Sequence, residues 1–385
     1  MTRFRRLWHN ERGASLLYIT AGFLSFFAAT GLAIDVGMLM TARGQAQTAA
    51  DAGALAGAIA LALDDFDDRS ATGPAVQSSI NTALENGVIH TAVDVQPADV
   101  TFPVAPSGEA NRVRVGVFRT VARNNPLSTF IMAVFGMDEA DISARATAEA
   151  APANAMTCVR PFTIPDKWQE NGDPEWTVDS VFNRYDNQGD LVPDADEYFP
   201  PGHANHEMYA YDMMADKGTL LTIRAGTGNN IQPTFYYSWS MPGGTIGGSW
   251  YEENIWACNQ TVITAPYVMT QEPGNMVGPT TQGIDDLIAQ DPTAYWDDVC
   301  NCAKSPLGRS PRIFPIPLYN PDEYDQGKIT GRNATLVMVS WIGFFVEGRV
   351  GNDVYGRITP ILGIIDGDAG PAPDNSFPRA VRLVE

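Results

Sequence analysis

The sequence is poor in basic residues, cysteine and histidine, and each shortage excludes a class of protein. Its 385 residues hold 25 Lys and Arg against 45 Asp and Glu, a formal net charge of −20. Because nucleic-acid binding depends on neutralising phosphates, we do not expect so acidic a chain to bind nucleic acid. Four cysteines are too few for a small disulfide-rich scaffold. With four histidines and no G-x-S-x-G, H-E-x-x-H or Walker A motif, we do not expect an enzyme.

Long apolar runs are also scarce, and one run is long enough to cross a membrane. No charged residue occurs from Ala14 to Ile34, a helical length of roughly 30 Å. A signal peptide has a shorter apolar core and a small-x-small cleavage site, whereas here Asp35 follows directly. We therefore predict an uncleaved transmembrane helix over residues 14–35. The run Thr335–Val346 is too short to span and predicts one or two buried strands.

The charge distribution predicts the orientation of this helix. Residues 1–63 hold five Arg against three acidic residues, a net charge of +2, which leaves −22 for residues 64–385. Four of these arginines precede the apolar run. By the positive-inside rule, residues 1–13 form a cytoplasmic basic N-terminus and everything after the helix lies outside.

The segment after Asp35 is rich in Ala and Leu and has no Pro, which predicts that the helix continues to about Leu63. Small residues between Ala49 and Gly57 would let another element approach closely. That element is either this protein's own domain or a neighbouring helix in an assembly, and composition does not separate the two.

Several segments together resemble the TadG-like proteins of Flp (Tad) pilus assembly. The match is carried by Glu11-Arg12-Gly13, the apolar span, Ala33-Ile34-Asp35-Val36-Gly37 and the block Ala49–Gly57. Arg112–Ala150, Glu272–Pro292 and Gly331–Gly348 are also similar to segments of that family. The resemblance implies a single-pass bacterial inner-membrane protein with a large periplasmic part, accessory to pilus biogenesis. Its partners would be other pilus-assembly components and the inner membrane, with no small-molecule substrate.

Two family features are missing from the sequence. The fifth residue after Gly13 is Tyr18, where prepilin-peptidase substrates have Glu, so we do not expect that processing. The Asp-x-Ser-x-Ser motif of a von Willebrand A domain is not found either; the nearest string begins at Asp179.

The region after the predicted membrane helix divides into two parts of different composition, which together predict an α+β fold. Residues 36–151 predict a long pilin-like helix with a small α+β domain, and residues 152–385, rich in Gly, Pro and Asp, predict a mostly β periplasmic domain with long loops. Within these, periodicity predicts helices at Pro74–Asn86, Leu127–Phe135 and Ile284–Gln290 and strands at Ala92–Gln96, Val100–Val104, Arg112–Val121 and Asp141–Ala150.

The four cysteines, Cys158, Cys258, Cys300 and Cys302, all lie beyond the predicted membrane helix, where oxidation is expected. We predict two disulfides. A bond between Cys300 and Cys302 would close a very tight ring, so we expect each of these to pair with Cys158 or Cys258. The C-x-C spacing argues against a zinc site.

The segment Asp186–Tyr198 is the best candidate metal loop. Asp186, Asp190, Asp194 and Asp196 offer closely spaced hard oxygens of the kind that Ca²⁺ prefers. The string is similar to the loops of thrombospondin type 3 calcium repeats but has Gln188 where that pattern has Asp. The alternative is a solvated acidic loop. We expect no other cofactor.

Two functions follow from these features. The first is a membrane-anchored accessory or structural component of Flp/Tad-type pilus assembly, acting through helix packing and periplasmic protein contacts. The second is an exported cell-adhesion or ligand-binding module, stabilised by calcium, without a role in pili. The aromatic segment Phe235–Trp256 fits either a β core or carbohydrate stacking.

Overall fold

The structure, a computed structural model, describes residues 13–171, 175–226, 230–329, 335–372 and 376–384. The helices are α1 (Ala14–Leu63), α2 (Pro74–Glu85), α3 (His206–Tyr209), α4 (Gly248–Trp256), α5 (Val277–Ala289) and α6 (Pro321–Ile329). Short 3₁₀ helices occur at Pro97–Asp99, Val121–Arg123 and Met132–Phe135. The long N-terminal helix and a mostly β remainder confirm the α+β prediction.

The strands are numbered in chain order. They are β1 (Val100–Thr101), β2 (Arg112–Arg119), β3 (Leu127–Ser128), β4 (Glu139–Ala140), β5 (Ile142–Pro152), β6 (Ala155–Met156), β7 (Phe162–Pro165), β8 (Leu220–Ala225), β9 (Phe235–Ser238), β10 (Ile263–Thr264), β11 (Tyr267–Met269), β12 (Tyr295–Asp297), β13 (Cys302–Lys304), β14 (Ile313–Tyr319), β15 (Leu336–Val350), β16 (Asp353–Ile358) and β17 (Arg379–Leu383).

The chain forms two compact units. Of the described residues, 13–58, 68–149 and 383–384 belong to the N-terminal unit, and 59–67 and 150–382 belong to the C-terminal unit. The chain therefore passes from one unit to the other four times: near the end of α1, between residues 67 and 68, within β5 and within β17.

In the N-terminal unit, α1 provides one face of a small α/β layer. Strand β2 pairs antiparallel with β1 on one side and with residues 142–149 of β5 on the other. Helix α2 is amphipathic and buries Ala75, Val76, Ser79 and Ala83. On α1 buried alanines recur every four residues, as expected for packing along one side of a helix, at Ala42, Ala46, Ala50, Ala54 and Ala58, with Ala49 beside them.

In the C-terminal unit, six strands close into a barrel. Their order is β15-β14-β7-β9-β8-β16, and β16 pairs back onto β15. Most pairings are antiparallel; β14 with β7 and β8 with β9 are parallel. Strand β11 adds to β15 outside the ring. The apolar run Thr335–Val346 lies largely in β15, which confirms its prediction as buried strand.

Strand β15 can pair with three neighbours because it is 15 residues long and each neighbour pairs with a different part of it. A register shift between Val346 and Gly348 marks an irregularity in its pairing with β16, and such bulges increase strand twist. Gly343 lies so close to the Thr359 carbonyl that a side chain would not fit. The core of this unit is rich in large side chains, including Trp168, Trp239, Trp341, Phe314 and Phe344.

Several predicted elements are wrong in the details. The segment Leu127–Phe135 is not a helix: β3 and β4 form a hairpin whose connection carries a 3₁₀ turn. Ala92–Gln96 forms no strand, only one bridge from Asp94 to Phe118. Helix α5 begins at Val277, well before the predicted Ile284. The predicted Pro74–Asn86 helix is confirmed to within one residue.

Candidate functional site

The first half of α1 leaves its apolar side chains uncovered. Leu16, Phe23 and Phe26 are each about two-thirds exposed, at 69%, 62% and 67%. Among the described residues, the helix from Ser15 to Leu63 is long and apolar enough to cross a membrane. Because burying such surface is strongly favourable, this half of α1 needs an apolar environment outside the folded unit.

Asp35 marks the end of this apolar half and is itself fully buried. Its Oδ1 accepts a hydrogen bond from the Phe130 N–H at 2.9 Å, and its Oδ2 accepts from the N–H groups of Ile131 at 2.8 Å and Met132 at 2.7 Å. These donors begin the 3₁₀ turn Met132–Phe135, whose first N–H groups have no partners within the turn. The carboxylate therefore fixes the connection of the β3–β4 hairpin against α1.

Sequence reasoning assigned Asp35 no role beyond its place in a family-like string. The sequence feature that could have identified Asp35 is that no other charged residue lies between Ala14 and Thr41. One turn before it, Gly31 is buried beneath the side chain of Ile131, and a side chain at Gly31 would occupy the same space. Gly31 and Asp35 thus form a contact point for the hairpin on one face of α1.

The small residues of α1 pack against the chain's own unit. A side chain at Gly53 would meet the Ser79 carbonyl oxygen at 3.0 Å and Ala83 Cβ at 3.1 Å. A side chain at Gly57 would come closer still, overlapping the Ser79 side chain of α2 and meeting Val113 Cγ1 of β2 at 2.8 Å. Of the two alternatives left open by composition, the structure supports packing within the same domain over these residues.

The cysteines form two disulfides, but not in the expected pairing. Cys158 bonds to Cys258 across a sequence separation of 100, and Cys300 bonds to Cys302. The expectation that Cys300 and Cys302 bond elsewhere is wrong. Both lie at the turn between β12 and β13, where Asn301 adopts a left-handed conformation with φ of 50°. Asn tolerates that conformation, and it lets the Cα atoms of its neighbours approach to 5.2 Å.

Two of the four aspartates of the predicted calcium loop accept hydrogen bonds from backbone N–H groups. Asp186 Oδ1 accepts from the N–H groups of Gln188 and Asp190 and so closes its own turn. Asp196 is buried and accepts from the N–H groups of Asn171 at 3.1 Å and Asn183 at 2.6 Å. Burial raises the pKa of the Asp196 carboxyl, although these hydrogen bonds act against the rise.

Three of these aspartates nevertheless line one cleft. Asp186, Asp194 and Asp196 border a polar cavity of about 490 Å³, with Asp325 on another wall. Within the described part of the chain, no three His, Cys, Asp or Glu side chains form a group that could hold a metal ion. Calcium binding at Asp186, Asp190, Asp194 and Asp196 stays a prediction.

The aromatic segment Phe235–Trp256 is not a continuous β core. Strand β9 covers its start and α4 its end. Tyr236, Trp239 and Tyr251 are almost fully buried in the large core cluster. These three rings are therefore not available for stacking on a carbohydrate.

Asp166 gives the C-terminal unit a testable pH dependence. Its carboxylate is buried and accepts hydrogen bonds from the Tyr198 hydroxyl at 2.9 Å and the Lys167 N–H at 2.8 Å. Burial raises the pKa of Asp166 above its usual 3.8, opposed by the nearby His206. The folded state therefore holds the proton more tightly than the unfolded state, and this group's contribution to stability is lost as pH rises through the folded pKa.

We expect Asp166→Asn to remove this dependence. Below pH 3.8 the difference in free energy of unfolding between the variant and the natural protein should not change with pH, because Asp166 is protonated in both the folded and the unfolded state. As pH rises from 3.8 through the raised folded-state pKa, the variant should become more stable relative to the natural protein. Chemical denaturation at several pH values measures the difference. Asp179→Asn, at an exposed position, is the control and should leave the pH dependence unchanged. A constant difference between Asp166→Asn and the natural chain across pH would contradict the prediction.

Comparison with known protein families matches the segment that holds the apolar helix, Gly31, Asp35 and the small residues. The family model described as "Putative Flp pilus-assembly TadE/G-like" matches residues 13–60. Comparisons with curated proteins and with solved structures give no significant match. The long helix of the N-terminal unit is thus the part of the chain that is similar to this family, and the match over residues 13–60 supports a role related to pilus assembly.

Proposed function

We propose that this chain is a membrane-anchored accessory or structural component of Flp/Tad-type pilus assembly. The family match over residues 13–60 supports a role related to pilus assembly. The observation that carries the finer proposal is the division of α1 into two halves. Its first half exposes apolar side chains, and its second half bears a folded α/β unit on one face.

In this proposal the apolar half of α1 anchors the chain in the inner membrane, with the arginines of residues 1–12 on the cytoplasmic side. Both compact units then lie in the periplasm, an oxidising compartment consistent with the two disulfides. The role is structural rather than catalytic, and its partners are other components of the assembly.

The exposed stretch of α1 just after Asp35 offers a place for partner helices. Val36 and Met40 are separated by one turn and are 39% and 68% exposed. They extend the uncovered apolar surface beyond Asp35 on a helix whose small residues already serve internal packing. We propose that a helix of another assembly component packs here.

A deletion strain tests the proposal. Loss of the gene should abolish or strongly reduce pili seen by electron microscopy, and the full-length chain should restore them. Met40→Glu should fold and reach the membrane but restore few pili, because it places a charge in the proposed contact. Thr41→Glu adds the same charge at an exposed neighbour about 100° round the helix, and should restore them. Unchanged piliation in the deletion strain contradicts the pilus role, whereas full restoration by Met40→Glu contradicts the contact.

A further inference from the structure

The connection of the β3–β4 hairpin exposes an unusual amount of apolar surface. Phe130, Val134, Phe135 and Met137, here termed the apolar tip, are 76%, 78%, 66% and 50% exposed. They fall within eight consecutive residues of one compact loop. Contiguous exposed apolar patches on a folded unit mark a binding surface. We therefore expect the apolar tip to be covered by a binding partner.

The tip lies beside the end of the apolar half of α1. Asp35 holds the backbone of Phe130, Ile131 and Met132 by three hydrogen bonds, and Ile131 covers Gly31. Gly31 is four residues before Asp35, or about 6 Å along the helix axis. The tip is thus level with the last turn of the apolar run, where the helix leaves an apolar environment for a polar one.

The rest of the N-terminal unit extends away from that level. Val113 of β2 packs at Gly57, which lies roughly 33 Å along α1 from Asp35. The loop between β1 and β2, which contains Val104, follows at that distant end. The apolar tip is therefore at one end of the unit, the end nearest the uncovered part of α1.

The charges near the tip fit an apolar surface with a polar boundary. No charged residue occurs from Leu127 to Met137, and Asp138, Glu139 and Asp141 follow immediately. The one carboxylate beneath the tip, Asp35, is occupied by three N–H groups rather than facing the surroundings. Such a surface can enter the headgroup and acyl-chain boundary by apolar burial alone.

We propose that the apolar tip inserts into the outer surface of the lipid bilayer that α1 crosses, as a second attachment point of the N-terminal unit. The inference rests on the proposed membrane anchoring by α1. The partner is the lipid surface because the tip is continuous with the uncovered apolar part of α1 and level with its end. A single helix leaves its unit free to tilt, and a second apolar contact restrains it.

Depth-dependent fluorescence quenching tests this inference on the full-length chain. Val134→Cys, Phe26→Cys and Val104→Cys each add one thiol for an environment-sensitive label, because the four natural cysteines are in disulfides. All three positions are exposed, at 78%, 67% and 59%. The labelled proteins are reconstituted into phosphatidylcholine vesicles containing lipids with a nitroxide near the headgroup or near the end of the acyl chain.

We expect the label at residue 134 to lose most of its fluorescence to the shallow nitroxide, the label at residue 26 to the deep one, and the label at residue 104 to neither. If residue 26 is quenched but residue 134 is as open to aqueous iodide as residue 104, the inference is overturned. If residue 134 is shielded from both lipid and iodide, a protein surface covers the tip and the inference is overturned as well. Absence of quenching at residue 26 instead overturns the proposed anchoring.

Discussion

Replacing Cys158 and Cys258 by serine is expected to lower the free energy of unfolding of the C-terminal unit by about 4 kcal/mol. The bond joins the chain just after β6 to the residues just after α4, across a sequence separation of 100. In the chain-entropy description, a crosslink destabilises the unfolded state more as the loop that it closes becomes longer. Removing this disulfide therefore raises the conformational entropy of the unfolded state and so lowers the free energy of unfolding.

The second disulfide provides a matched control. Cys300 and Cys302 close a loop of sequence separation 2, so their replacement by serine should cost less than about 2 kcal/mol. Denaturant unfolding followed by tryptophan fluorescence measures both, since all tryptophans except Trp8 lie in residues 150–382. Equal losses in the two double variants would show that loop length does not govern the stabilisation.

Asp35→Asn is expected to destabilise the attachment of the β3–β4 hairpin to α1 by roughly 1–3 kcal/mol. The change keeps the shape of the side chain but replaces one accepting oxygen by an amide that donates. Each buried N–H left without an acceptor costs roughly 1–3 kcal/mol. Oδ1 accepts from one N–H group and Oδ2 from two, so the single oxygen of asparagine leaves at least one of the three without an acceptor. Glutamate would not restore them, because its longer side chain displaces the carboxylate from the turn.

Hydrogen exchange of the full-length chain in detergent is the direct measurement. The amides of Phe130, Ile131 and Met132 should exchange much faster in Asp35→Asn, while those of β2 should change little. Asp51→Asn is the control on the same helix, where the carboxylate accepts from the Gln47 side chain, and exposed contacts of this kind contribute under about 1 kcal/mol. Unaltered protection at Phe130–Met132 in Asp35→Asn would refute the role assigned to Asp35.

Local pattern was sufficient for the elements whose stability is local. The Ala-rich, proline-free stretch predicted α1 to Leu63, and the alternation of Arg112–Val121 and Asp141–Ala150 predicted β2 and β5. The hairpin over residues 127–140 was mistaken for a helix because its apolar spacing fits both. Its conformation depends on Asp35, more than 90 residues earlier, and no local pattern contains that contact.

The candidate sites depended in the same way on distant contacts. Their spacing in the sequence suggests that the aspartates of residues 186–196 act as a group. In the structure, however, Asp196 accepts hydrogen bonds from the backbone N–H groups of Asn171 and Asn183. The pairing of the cysteines was also beyond sequence reasoning, because the turn at Asn301 permits a bond that simple ring size argued against. Neither the six-stranded ring nor the apolar tip has a signature in a single sequence.

The closure of the barrel has a consequence for contacts between neighbouring copies of this chain. A free strand edge can recruit a strand from a neighbour, which leads to aggregation. Because β15 pairs with both β14 and β16, the ring of six described strands has no free edge. The strand added outside it, β11, is only three residues long. Neighbouring copies that meet at the barrel can therefore do so through side chains, without exchanging backbone hydrogen bonds along the ring.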